Sequence, residues 1–192
     1  QPVASGIKIT RAKDLKITGN LISGNFLAAG LWLDEFCRDA VIAGNGFRDN
    51  GELQVNLEAS SGGMVVDNVV EGGRKGVELR DVENVRVMNN HFSDYSMMAI
   101  NLAQDERWKT LTSRPSDISL RVRNNTIANN VIACGSRFQI FGKDASTNIP
   151  MDDFKSTITG NVFSPSSKSP ELNMVAWGLS DNSTVEFLQT TD

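Results

Sequence analysis

The sequence is short of the residues that build metal centres and covalent staples. Its 192 residues include one histidine, His91, and two cysteines, Cys37 and Cys134. One imidazole and two distant thiols cannot close a tetrahedral zinc shell. Basic charge in excess is missing as well. Lys plus Arg total 19 against 23 Asp plus Glu, a net charge of -4, and the cations are scattered, so nothing marks a nucleic-acid or anionic-membrane binder. No apolar run reaches the ~18 residues that a membrane-spanning helix needs. The opening stretch, QPVASGIKIT, has neither an initiator Met nor the charged-then-apolar layout of a signal peptide. Processing or truncation is expected, with more protein upstream. Helical spacing of apolar residues is also absent.

What is present is one short sentence written repeatedly. ITGNLI (17–22), IAGNGF (42–47), VVDNVV (65–70), VMNNHF (87–92), VRNNTI (122–127) and ITGNVF (158–163) share the template [I/V]-x-x-N-x-[apolar]. Their asparagines, Asn20, Asn45, Asn68, Asn90, Asn125 and Asn161, are separated by 25, 23, 22, 35 and 36 residues. A period in the twenties marks a solenoid, in which each unit buries its apolar side only by stacking on its neighbours. Between the motifs lie strictly alternating stretches such as LQVNLE (53–58), VELR (77–80) and MAINLA (98–103). Alternation of this kind reads as strand. A leucine-rich repeat would carry an L-x-x-L-x-L core, whereas the turns here are Gly, Asn and Asp throughout. The expected fold is all-β, a single-stranded parallel β-helix of about six to seven coils, its Asn side chains stacked in a ladder at a turn.

The Asn-turn repeat, with GLWLD one coil before VNLEASSGG and then GVELRDVENVRVMNN, resembles the right-handed parallel β-helix proteins of the pectin-lyase-like superfamily. More narrowly, it is similar to bacterial secreted β-helix repeat proteins with a G-[L/I]-W-x-D strand followed by a strand ending in Glu. The resemblance spans about residues 5 to 180 and implies an extracellular or cell-surface, carbohydrate-active protein. The superfamily holds polysaccharide lyases, glycoside hydrolases, epimerases, esterases, phage tailspikes and adhesins alike, and no paired-Asp lyase signature is present.

Register places the candidate site. With Leu31, Val55, Val77 and Ile100 pointing inward, Trp32, Asn56, Glu78 and Asn101 form one outward column, and Asp34, Glu58, Arg80 and Ala103 a second. Rungs are spaced by ~4.8 Å, so Asp34 and Glu58 are expected near that distance and Glu58 and Glu78 near roughly 8 Å. The first separation suits a retaining glycosidase and the second an inverting one. Asp34, Glu58 and Glu78 are therefore the candidate acid/base set. Alternatively Asp34 and Glu58 hold Ca²⁺, while Arg80 or Lys143 takes a sugar proton in a lyase reaction; no other cofactor is expected. Trp32, expected to stand exposed, and Trp108, on a segment 103–117 that interrupts the period and walls the groove, offer flat faces for sugar rings, and Asn56 and Asn101 hydrogen bonds. An equally direct reading makes Asp34, Glu58 and Arg80 an ordinary ladder of compensated surface charge.

Glycan cleavage, by hydrolysis or β-elimination, leads. Against it stand a glycan-binding or adhesin module and a trimeric shaft with Trp32 buried between chains. His91 is expected to face outward or fill a corner. Cys37 and Cys134 lie about three coils apart, too far for a disulfide, and read as small buried hydrophobes. Asn124 and Asn182 are chance N-x-T matches. The solenoid is expected over 1–182 and a cap or tail over 183–192. SPSSKSP (164–170) reads as a connector. Ser183 to Glu186 matches a capping box and predicts a short helix through Gln189.

Overall fold

The computed structural model describes residues 4–133, 138–144, 154–164, 174–178 and 185–188. The chain winds through three sheets, one of eight strands and two of six. The first sheet is parallel from Ser5–Thr10 through Ala29–Asp34, Leu53–Glu58, Lys75–Arg80, Met98–Gln104 and Phe138–Asp144 to Val175–Gly178. Each of its first six strands is followed in the chain by a strand of the second sheet and one of the third, so one circuit of the chain makes one rung.

The recurring six-residue motif is the corner between the second and third sheets. In ITGNLI, Ile17 and Ile22 are the inward-facing centres of Lys16–Thr18 and Leu21–Ser23, two strands of three residues each. Between them the residue before each ladder Asn turns left-handed: φ is +66° at Gly19, +62° at Gly44, +56° at Asp67, +55° at Asn89 and +63° at Gly160. Gly, Asn and Asp tolerate that conformation and other residues resist it, which is why the motif varies only among these types there. The Asn side chain then tethers the corner. Asn68 donates from its backbone N–H and from Nδ2 to Asn90 Oδ1 at 3.0 and 2.9 Å, and Nδ2 also reaches Ile42 O.

The interior is a set of stacked columns. Leu31, Val55, Val77, Ile100 and Ile140 are fully buried in the first sheet, Ile42, Val65, Val87 and Ile127 in the second, and Phe47, Phe92 and Ile132 in the third. They merge into one apolar core. Each such side chain contributes about 1.5–3 kcal/mol by leaving water.

Three expectations change. The ladder runs Asn20, Asn45, Asn68, Asn90, Asn130, Asn161, so Asn130 of IANNVI (127–132) takes the place expected for Asn125. The inserted segment displaces the period, and Asn125 falls one corner earlier, where its Oδ1 accepts from Val85 N–H and its Nδ2 donates to Val82 O, each at 2.9 Å. At the far end, Val185–Leu188 is a strand antiparallel to Val175–Gly178, not the capping helix predicted from Ser183. A strand satisfies the open backbone edge of the last rung directly, which a helix laid across it would not. The third change concerns Trp32 and is described with the site.

His91 faces outward and is exposed at the start of His91–Ser93. Cys37 is buried with a free thiol, and Sγ lies 3.3 Å from Asp34 O. Cys134, Asn182 and residues 165–170 of the expected connector lie outside the described residues.

A candidate ligand cleft on the first sheet

The expected register is present. Lys8 pairs with Trp32, Trp32 with Asn56, Asn56 with Glu78, and Glu78 with Asn101. Thr10 pairs with Asp34, Glu58 with Arg80, Arg80 with Ala103, and Ala103 with Lys143. Leu33 opposite Leu57 brings Asp34 and Glu58 to neighbouring rungs. A cleft of about 90 Å³ opens on this face, lined by Ala4, Ala29, Trp32, Glu52, Leu53, Asn56, Glu58, Lys75, Glu78 and Arg80.

Trp32 is not exposed, as the sequence suggested, but retains 8% of its surface. It stands apart from the main core in a small cluster with Ala29 and Leu53, and the Lys8 ammonium lies 3.5 Å from its ring centroid. That cation comes from the first strand, one rung earlier in the same column. Extending the column back one repeat, SGIKIT under AGLWLD, is the signal that would have found it.

Every carboxylate of the two columns has its own cation. Lys8 Nζ lies 3.0 Å from Asp34 Oδ2. Arg107 Nη1 lies 2.8 Å from Glu58 Oε1, and Asn56 Nδ2 donates to Glu58 Oε2 at 3.1 Å. Glu78 is gripped by Lys75, by Arg80 through Nε and Nη2 at 2.9 and 2.7 Å, and by Asn101 Nδ2 at 2.7 Å. Burial alone would raise the pKa of Glu78, but Lys75 and Arg80 outweigh it and hold the carboxyl below its usual value. Burial likewise opposes the charge of Arg80, and Glu78 overrides it, raising the guanidinium pKa. An arginine so held keeps its proton, so a base for β-elimination has to come from another group.

Arg107, which the sequence did not single out, is the hub of this face. Beside Glu58 it holds Asp81 Oδ2 at 2.6 Å and Asp105 Oδ2 at 2.9 Å. Burial first, and then the neighbouring Asp105, push Asp81 up, while Arg107 pulls against them; burial works against Asp105 too, but its bonds to Asp81 and Arg107 hold it below the usual range. Arg107 opens the single helical turn Arg107–Thr110 on the inserted segment, so the segment is locked to the sheet through it. No spacing rule connects Arg107 to Glu58, since the path of an insertion carries no period. Lys75 escaped notice because it has inward parity at the start of its strand.

Trp108 does not reach the cleft. It packs against a cluster of Ala59, Ile118 and Leu120, with Arg121 Cζ 4.1 Å from its ring centroid. Asn101 is spent on Glu78, and Lys143 lies two rungs beyond Arg80 in the second column. Asp34 and Glu58 each already face a cationic side chain, and among the described residues no group of three or more His, Cys, Asp or Glu is arranged to hold a metal ion. Two buried polar atoms of the cleft have no hydrogen-bond partner among the described residues: the indole Nε1 of Trp32, a donor, and Oδ1 of Asn56, an acceptor. They belong to paired residues on adjacent rungs.

Fold and face together define a parallel β-helix protein with an ion-paired polar cleft on one sheet. The chain belongs to the family described as the right handed beta helix region, whose model matches residues 5–167. That match gives the solenoid its right hand and is consistent with the pectin-lyase-like resemblance. Comparison with curated proteins finds no match, and comparison with solved structures finds none. No helix among the described residues is long and apolar enough to cross a membrane.

Proposed function

We propose that the protein is polysaccharide-active and takes a glycan chain in the cleft of the first sheet. One observation carries this reading: an unpaired buried donor on Trp32 beside an unpaired buried acceptor on Asn56. An unsatisfied buried polar atom costs ~1–3 kcal/mol, so two neighbours of opposite sense favour a partner that supplies both complements. A sugar hydroxyl accepts from the indole N–H and donates to the amide oxygen, while the sugar's apolar C–H face matches the indole ring. A polysaccharide ligand supports a location outside the cell or on its surface.

Bond cleavage is the second reading, and the adjacency of Asp34 and Glu58 favours it. Carboxylates one rung apart, at a spacing of ~4.8 Å, approach the roughly 5–5.5 Å of a retaining glycosidase pair. Asp34 and Glu58 would then divide the acid and nucleophile roles, with the ionised Glu78 and its partner Arg80 orienting the sugar. For cleavage to begin, one of the two must exchange its cationic partner for a proton. Ca²⁺ between Asp34 and Glu58 would compete with Lys8 and Arg107 for the same oxygens. A trimeric shaft gains no support from Trp32, which finds its cover within its own chain.

The test is a panel of neutral, acidic and amino polysaccharides, followed by calorimetry for binding and by reducing-sugar and ultraviolet assays for cleavage and unsaturated ends. Binding that Trp32→Ala abolishes is expected. Turnover that Glu58→Gln abolishes would establish the second reading. Absence of binding to every member of the panel would sink both.

A further inference from the structure

We infer that Trp32 and Asp34 form a seat for a primary ammonium group, that Lys8 fills this seat in the free protein, and that the glycan which displaces it carries a free amine. The inference rests on the glycan reading above and names the substrate class. The Lys8 ammonium lies 3.5 Å from the Trp32 ring centroid and 3.0 Å from Asp34 Oδ2. An aromatic face and a carboxylate converging on one nitrogen is the chemistry that selects a cation over a neutral or anionic group. The other Asp34 oxygen, Oδ1, is already used by the backbone N–H of Glu35 at 2.7 Å, so Oδ2 is fixed toward the seat.

Lys8 is suited to leave. Its side chain is 34% exposed, so its long stem can carry the ammonium into water with little loss of packing. Its departure uncovers the indole and strips Asp34 of its counter-ion. Elsewhere in the cleft the charges are compensated, Glu78 by Lys75 and Arg80, Glu58 by Arg107 and Glu52 by Arg74, so once Lys8 leaves, Asp34 is the carboxylate of this face left without a cation and favours an ammonium over a uronate. Beside the seat wait the unpaired Trp32 Nε1 and Asn56 Oδ1. A ring bearing an amine next to a hydroxyl, as an unacetylated amino sugar does, meets both demands at once.

The experiment titrates the protein and its Lys8→Ala variant by calorimetry with a glucosamine tetramer, its N-acetylated counterpart, a galacturonic acid tetramer and a lysine tetrapeptide. The native chain is expected to prefer the amine tetramer over the acetylated one. Lys8→Ala should tighten the amine tetramer about tenfold, the range that a cation–π contact and its counter-ion span, and leave the acetylated tetramer unchanged. Asp34→Asn added to Lys8→Ala should erase the gain, and it keeps the polar contact to the Glu35 backbone, so folding is preserved. Equal affinity for the amine and acetylated tetramers in both proteins overturns the ammonium seat while the glycan reading stands. A gain for the uronate, or lysine peptide binding as tight as the amine tetramer, also overturns it. No binding of the amine tetramer to either protein also overturns the seat, and the glycan reading then stands or falls on the polysaccharide panel.

Discussion

Arg107 Nη1 lies 2.8 Å from Glu58 Oε1, joining a residue of the inserted segment to the end of a strand in the third rung. The same guanidinium also contacts the buried Asp81 and the half-buried Asp105. The insertion is thus fastened by charge to the face that carries the cleft.

Removing that cation should be costly. Burial already pushes the pKa of Asp81 up to about 8, so without Arg107 it keeps its proton at neutral pH, and no buried charge is orphaned there. Arg107→Met instead strands the hydrogen-bonding oxygens of Glu58, Asp81 and Asp105, and a loss of about 2 kcal/mol is expected, read as a lower urea midpoint. Unchanged stability of Arg107→Met would contradict the hub.

The Asn ladder should be strongest in its middle. Asn90→Ala removes the acceptor for both the N–H and Nδ2 of Asn68 and the donors to Val65 O and Met88 O. Stranding these buried groups should cost about 2 kcal/mol. Asn20→Ala, at the exposed first rung, should cost less than half of that. Equal losses in chemical denaturation would mean the ladder does not act as a buried chain.

Glu78 sets an acid limit. Its folded-state pKa lies below the ordinary 4.5 because Lys75 and Arg80 outweigh its burial. A depressed carboxyl contributes stability that is present above the unfolded pKa and is lost as pH falls through the folded one. The urea midpoint should therefore fall below about pH 4.5 more steeply in the native chain than in Glu78→Gln. Parallel pH profiles would remove the linkage.

Close approach fixes Gly51. A Cβ there would stand 1.7 Å from Phe26 O on the rung below, a backbone atom that can yield only by spreading the rungs. Gly51→Ala should lower stability by about 2 kcal/mol or more, visible as a reduced melting temperature. A melting point equal to that of the native chain would show that the corner has slack.

The inward columns, the six-residue corner and the pairing of Trp32 with Asn56 and Glu78 are all legible in the sequence. Strand parity and a nearly constant period fix which residues become vertical neighbours. The period fails where the segment after Gln104 intervenes, and there counting puts Asn125 on the wrong corner, because it cannot follow a stretch that makes no complete rung. The terminal strand Val185–Leu188 escaped for a related reason: a local capping signal competes with the unpaired edge of the previous rung, and only the folded coil supplies that edge.

By itself the sequence determined the scaffold, since alternation of apolar and polar residues and a left-handed turn before each ladder Asn are local requirements repeated at every rung. What the tertiary structure alone decided is the electrostatic state of the cleft. Lys8 on Asp34, Lys75 on Glu78 and Arg107 on Glu58 join long flexible cations to carboxylates, and which cation reaches which acid depends on side-chain paths in space. Those contacts turn an expected open row of acids under a bare indole into a closed, compensated face.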